Sequence, residues 1–241
     1  MRLDLALVQR GLCNSRVRAK TALQAGLVTI NGITEQKPSR DVSERDELAL
    51  REDASLRYVS RGAQKLLHAL DYFGVEVTGL RCLDVGASTG GFTQVLLERG
   101  AAQVVAVDVG TSQLAQVLRD DPRVYSLEQT DIRALDIALV RFCCVDVSFI
   151  SLTLILPKLF MLLEQESSLI CLVKPQFEVG PQFVGKHGVV KDAKARARAL
   201  EEVSAAAVQA GFFVQGHTPS PITGGQGNVE YLLFLNKGVQ P

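Results

Sequence analysis

The spacing of apolar positions changes character near Tyr58. Before it, apolar residues recur at helical intervals over residues 3–10, a short amphipathic helix that Gly11 would close in a left-handed conformation. Ser15 is a good N-cap for a second helix running from Arg16 through Leu23 and ending at Gly26. Residues 28–30 read as a strand, and Asn31-Gly32 is the strongest two-residue hairpin signal. After Tyr58, short apolar runs alternate with helical stretches. The runs at 81–85, 103–107, 123–127, 142–145, 169–173, 212–217 and 231–235 predict seven strands. A basic stretch from Lys191 into an alanine-rich run to Ala210 predicts one long helix. Seven strands with intervening helices imply an α/β fold, a Rossmann-like, mainly parallel sheet that binds ligands at the carboxyl ends of its strands. A small α+β domain precedes it. The expected boundaries are 1–56 and 57–241, with a linker at about 51–60.

Composition leaves the globular reading intact and complicates the charge. The chain has 241 residues, 47% hydrophobic and 22% charged, with 26 basic and 26 acidic side chains. Spread evenly, zero net charge would argue against a nucleic-acid partner, because phosphate neutralisation needs a basic surface. It is not spread evenly. Residues 1–40 carry seven bases and two acids, residues 41–56 two bases and six acids, and the remainder 17 bases and 18 acids. Neutrality is an average over a basic front, an acidic stretch and a balanced body. The five cysteines form no C-x-x-C pair, which fits a reduced compartment, with Cys143, Cys144 and Cys171 in predicted core strands. The three histidines have no metal-ligand spacing, and no metal is expected. The amino terminus lacks the apolar segment of a signal peptide. Residues 150–163 are too short, and too interrupted by Pro157 and Lys158, to span a bilayer. A cytoplasmic protein with no membrane partner is expected.

The chemistry begins at the first strand of the large domain. Asp84-Val85-Gly86-Ala87-Ser88-Thr89-Gly90-Gly91 reads D-x-G-x-x-x-G-G, not the dinucleotide pattern G-x-G-x-x-G. An acid at the strand end would repel a pyrophosphate and suits a ligand with a cationic amino group. Asp108 ends the next strand 22 residues after Gly86, where a carboxylate can hold ribose hydroxyls. Together these fit S-adenosylmethionine better than a nicotinamide cofactor. The candidate cofactor residues are Asp84, Gly86, Ser88, Gly90, Gly91, Phe92, Asp108 and Asp131. Asp131 is a candidate for the adenine amino group and equally for a helix N-cap. The proline-rich loop of many amino-methylating enzymes is missing after the fourth strand, where Val145-Asp146-Val147-Ser148-Phe149 stands. Two lysines and two carboxylates lie at strand ends or at the entry to the sheet, in Ser60-Arg61-Gly62-Ala63-Gln64-Lys65, Val145–Phe149, Val173-Lys174-Pro175-Gln176-Phe177-Glu178 and Gly227-Asn228-Val229-Glu230-Tyr231. Gly185–Lys191 is a glycine-flanked basic loop that could close over RNA.

These motifs carry two resemblances. R-L-D-x-x-L, G-L-x-x-S-R-x-x-A and G-x-V-x-I-N-G over residues 1 to about 50 resemble the RNA-binding module named after ribosomal protein S-four. That resemblance implies contacts to structured RNA from Arg2, Ser15, Arg16, Arg18, Lys20 and Asn31, reading shape and phosphate more than bases. D-V-G-A-S-T-G-G-F-T, V-D-V-S-F-I-S-L, V-K-P-Q-F-E and G-N-x-E-Y-L resemble the ribose 2′-O-methyltransferases with a K-D-K-E tetrad. With the front module attached, the whole chain resembles the TlyA family, ribosomal RNA cytidine 2′-O-methyltransferases once labelled haemolysins. The tetrad falls on Lys65, Asp146, Lys174 and Glu230. The chain departs from the family pattern at Ala63-Gln64, where a second glycine is common, and at Asp131, where Asn is common. The resemblance implies ribosomal RNA as partner and S-adenosylmethionine as methyl donor. Lys174 is the candidate base for the ribose hydroxyl, Lys65 would position that hydroxyl, and the two carboxylates would orient the amines. Two carboxylates crowded onto Lys174 would hold its proton and oppose that role, so their distribution matters. Competing readings are a small-molecule O-methyltransferase, a membrane-active haemolysin and a non-catalytic RNA-binding assembly factor.

Overall fold

A computed structural model describes residues 1–13, 15–51 and 57–238 of the chain. The centre of the expected linker, with Glu52 and Asp53, lies outside the described residues. The chain divides into two units, Met1–Arg61 and Gly62–Pro241.

The first unit follows its local signals closely. Helix α1, Leu3–Gln9, buries Leu3, Ala6 and Leu7 at helical spacing and gives way to Gly11 at φ +72°. Helix α2, Arg16–Gln24, opens on Ser15, whose Oγ accepts the Arg18 N–H at 3.2 Å. Strands β1, Val28–Ile30, and β2, Ile33–Thr34, pair antiparallel across Asn31 and Gly32. Both turn residues have positive φ, +51° and +82°, as a tight hairpin needs. Strand β3, Leu48–Leu50, pairs with the other side of β1, giving the order β2-β1-β3. Leu3, Leu7, Ala22, Leu23 and Val28 form its core.

The second unit is a seven-stranded sheet flanked by helices. Helix α3, Ala63–Phe73, precedes β4, Arg81–Val85; α4, Gly91–Glu98, leads to β5, Gln103–Val107. After α5, Gln116–Arg119, come β6, Val124–Leu127, and β7, Val140–Val145. Then follow α6, Leu156–Leu162, β8, Leu163–Val173, and α7, Pro175–Glu178. Helix α8, Ala193–Gln209, precedes β9, Phe213–Pro219, and β10, Tyr231–Lys237. The sheet order is β6-β5-β4-β7-β8-β10-β9. β6 through β8 run parallel, and β10 is antiparallel to both of its neighbours. Strands β4, β5, β7 and β8 are buried on both faces over most of their length, so they read as continuous apolar runs and not as alternating ones. The order reverses around β4, with β5 on one side and β7 on the other, which opens a crevice at their carboxyl ends. Among the described residues no helix is long and apolar enough to cross a membrane.

Candidate active site

The crevice at the carboxyl ends of β4 to β7 is a cavity of about 710 Å³. Gly86 sits at its floor with φ +84°, and a Cβ there would overlap the Asp146 carbonyl. Only glycine lets the loop after β4 approach the end of β7 this closely. Asp108, at the end of β5, accepts the Ser88 N–H at 2.8 Å and the Gly110 N–H at 2.7 Å, so it fixes the glycine loop while its side chain faces the cavity. Asp131 caps a short 3₁₀ turn, Ile132–Ala134, and holds the Arg133 guanidinium at 2.6 Å. Its hydrogen bonds to Arg133 bring its pKa down to about 2. The cavity wall thus carries three carboxylates, Asp108, Asp131 and Asp146, and one guanidinium already matched by Asp131. That donor set disfavours a phosphate and suits a cation bearing hydroxyl groups.

Four of the expected cofactor residues stand behind this wall. Successive side chains of β4 alternate faces, and Asp84 turns away under α4. It is fully buried and accepts the Thr93 hydroxyl at 2.6 Å, in place of the open contact with a cationic amino group that its motif suggested. Burial pushes its pKa up to about 7, with the Asp146 charge adding to the rise. Gly90, at φ +96°, would set a Cβ against Leu118 and Leu114, so it gives α4 room to start beside those side chains. Gly91 is the first residue of α4, and Phe92 is packed in the core. Gly86, Ser88, Asp108 and Asp131 line the cavity itself.

A second cavity, of about 390 Å³, is lined by Lys174, Gln176, Phe177, Gln226 and Glu230, and shares Ser148 and Phe149 with the first. Sheet register explains the gathering. β8 and β10 pair Val173 with Tyr231, so the next residues outward, Lys174 and Glu230, emerge at the same sheet end. Asp146 follows β7, which runs parallel beside β8. Lys65 comes from the first turn of α3. The four expected tetrad residues meet as two ion pairs, Lys65 Nζ to Glu230 Oε2 and Lys174 Nζ to Asp146 Oδ1, both at 2.6 Å. Each lysine has its own carboxylate. Lys174 also donates to Ser148 Oγ at 2.9 Å.

Three residues without a role in the sequence reading hold this arrangement. Glu178 accepts the Ser151 hydroxyl at 2.6 Å and the Leu152 N–H at 3.0 Å, and its burial raises its pKa. The Lys174 turn is therefore tied to the Asp146 loop at both ends, by Lys174 itself and by Glu178. Phe149 has φ +66° and is 91% exposed, with its ring 5.2 Å from that of Phe177. An exposed aromatic in a left-handed conformation at the mouth of two cavities is a site feature, because packing does not require it. Asn228, buried, donates to the Gly188 carbonyl at 2.8 Å and accepts the Val190 N–H at 2.9 Å. It anchors the base of the 185–191 loop, whose tip exposes Lys186 and His187. The Ser148, Phe149, Glu178 and Asn228 positions all fall inside motifs noted above; only their spacing to the tetrad marked them.

In the first unit, Asp4 is wholly buried and receives Arg2 at 3.0 Å and Arg16 at 3.0 Å, which hold its pKa down near 2. Asn31 donates to Asp46 at 2.9 Å and accepts the Glu47 N–H at 2.8 Å, and Ser15 is spent on its cap. Of the six residues expected at RNA, only Arg18 and Lys20 have side chains with no hydrogen bond or ion pair among the described residues.

Residues 58–237 match the FtsJ-like methyltransferase family and residues 1–48 match the S4 domain. The chain is 48% identical over 238 residues to the 16S/23S rRNA (cytidine-2′-O)-methyltransferase TlyA of Mycobacterium tuberculosis, covering 97% of this chain and 89% of that protein. It is 39% identical over 242 residues to a protein of Brachyspira hyodysenteriae named Hemolysin A, covering 98% and 99%. Among solved structures, one of a protein named as a hemolysin from Streptococcus thermophilus superposes with a TM-score of 0.79 at 44% identity, over 100% of this chain and 90% of that one.

Proposed function

Because this chain belongs to the TlyA family, FtsJ-like methyltransferases with an amino-terminal S4 domain, we propose that it methylates the ribose 2′-hydroxyl of a cytidine in ribosomal RNA in the cytoplasm. The observation that carries the reading is the meeting of Lys65, Asp146, Lys174 and Glu230 as two ion pairs where two cavities join. The larger, acidic cavity fits S-adenosylmethionine, with Asp108 toward its ribose hydroxyls and Gly86, Ser88 and Asp131 along its length. When bound there, S-adenosylmethionine supplies the methyl group, which the ribose oxygen takes with release of S-adenosylhomocysteine.

The protein's own residues prepare the hydroxyl. A neutral amine has two N–H groups and one lone pair. Lys174 has Asp146 and Ser148 as acceptors for two N–H groups, which leaves the lone pair for the 2′-hydroxyl proton. Asp146 then faces the ammonium that forms. Lys65, held by Glu230, donates toward the same oxygen and fixes its approach. Phe149 offers an exposed ring on which a base can stack. Arg18 and Lys20 supply uncommitted cations of the S4 domain for phosphates of the folded RNA.

The test is methyl transfer from labelled S-adenosylmethionine to ribosomes, separated subunits and free rRNA, with nuclease mapping of the product. A ribose-located methyl group on one cytidine is expected. Lys174→Ala should lower the rate by about 10²–10⁴-fold with cofactor binding retained. No transfer to any RNA, or a methyl group on a base, overturns the reading.

A further inference from the structure

The acceptor cavity contains a polar atom with nothing to bind. Gln176, in the turn that presents Lys174, lines the cavity beside Lys174, Phe177 and Glu230. Its side-chain Oε1 is buried and has no hydrogen-bond partner. A buried acceptor left unsatisfied costs about 1–3 kcal/mol, and folded proteins keep few of them. Its neighbours explain why it stays unpaired. Glu178 turns back to Ser151 and Leu152, Lys174 is committed to Asp146 and Ser148, and Glu230 is committed to Lys65. The missing partner is a donor that arrives with the substrate.

The chemistry of RNA narrows that donor. Within a chain, a nucleotide's phosphate, ring oxygen and 3′ oxygen only accept hydrogen bonds. Its donors are the 2′-hydroxyl and the N–H groups of the base. The hydroxyl proton goes to Lys174 on the reading above, which leaves the base. Cytosine presents an amine at position 4, where uracil presents an oxygen. An acceptor facing that position pairs with cytosine and opposes uracil oxygen to oxygen. Resting on the cytidine 2′-O-methyltransferase reading, we propose that Gln176 is a specificity-determining residue whose Oε1 accepts the exocyclic amine of the target cytosine.

The experiment uses the full-length protein and subunits in which the mapped cytidine is unchanged, replaced by uridine, replaced by a 2-pyrimidinone nucleotide that lacks the amine, or replaced by 3-deazacytidine. Single-turnover methyl transfer is read on each. The wild type should be at least tenfold slower on uridine and 2-pyrimidinone than on cytidine, and near normal on 3-deazacytidine. Gln176→Leu should be at least tenfold slower on cytidine and should treat cytidine and 2-pyrimidinone alike. Equal wild-type rates on cytidine and 2-pyrimidinone overturn the proposal without reference to any variant. So does a Gln176→Leu defect of the same size on every target, which would place the side chain at the ribose or in the fold. Loss on 3-deazacytidine instead of 2-pyrimidinone also overturns it, because the amide would then be donating to the ring nitrogen. Transfer to no RNA at all would refute the underlying function instead, so the two failures are distinguishable.

Discussion

Removing Glu230 separates what the buried ion pair does for the fold from what it does for the reaction. The side chains of Lys65 and Glu230 are 9% and 3% exposed, and their charged atoms stand 2.6 Å apart. At an effective dielectric of about 20 the gross attraction at that distance is roughly 6 kcal/mol. Desolvation of each ion costs several kcal/mol and offsets most of it. The net contribution of the intact pair is therefore small, whereas a lone ammonium left at the same site has lost its compensation. Glu230→Leu should destabilise the methyltransferase unit by about 3–5 kcal/mol. For a domain of this size that is a fall in Tm of roughly 6–20 °C. The double variant Lys65→Met/Glu230→Leu should recover most of the loss, because two apolar side chains replace two charges. Neither variant should transfer methyl groups. Differential scanning calorimetry, with single-turnover transfer on the same samples, checks all three statements. A double variant as unstable as the single one would refute the ion-pair account of stability. A double variant that still methylates RNA would refute the catalytic role of the pair.

Three further outcomes are expected. Gly86→Ala should abolish S-adenosylmethionine binding in calorimetric titration, since the new methyl meets the Asp146 backbone, with its carbonyl carbon at 2.8 Å, and φ +84° disfavours any side chain. Asp84 gives a pH dependence of unusual sign. Its folded pKa, about 7, exceeds its model value of 3.8, so it costs nothing below about pH 4, destabilises progressively as pH rises, and reaches its full cost, about 4 kcal/mol, above pH 7. Asp84→Asn should flatten the stability profile between pH 4 and 8, read by denaturant unfolding; an unchanged slope would count against the assignment. Replacing Arg18 and Lys20 by Gln should reduce the slope of log affinity for rRNA against log salt by about 1 for each residue, measured by filter binding.

The fold was legible because its signals are local. Ser15, Gly26 and Asn31-Gly32 each act within a few residues, and buried parallel strands appear as unbroken apolar runs. The first strand boundaries to slip were those of β7 and β8, which extend to Val140 and Leu163 where Arg141, Glu164 and Glu166 interrupt the apolar pattern. The tetrad residues were legible from their motifs, but their pairing was not, because it depends on the Val173–Tyr231 register between strands far apart in sequence. Asp84 misled for a related reason. Its motif places it at a strand end, and only the pleat decides which face its side chain takes. The same limit applied to Arg2 and Arg16, whose basic character suggested RNA while a buried carboxylate twelve residues from Arg16 claims both.

The signs of charge in the two cavities constrain how a polyanion can use this site. The larger cavity is walled by Asp108, Asp131 and Asp146, so a phosphate drawn toward it meets repulsion that grows with depth. The smaller cavity offers lysines already matched one to one with carboxylates, which attract an RNA backbone little at long range. Neither cavity can recruit RNA by its field, and a nucleoside enters the smaller one through stacking and hydrogen bonds made at contact. Attraction must then come from cations held elsewhere and left unpaired, such as Arg18, Lys20 and the loop tip at Lys186. This separation leaves the acidic pocket to the cationic cofactor, and it makes a catalytic domain without its basic module an enzyme with an intact site and a weakened grip on its substrate.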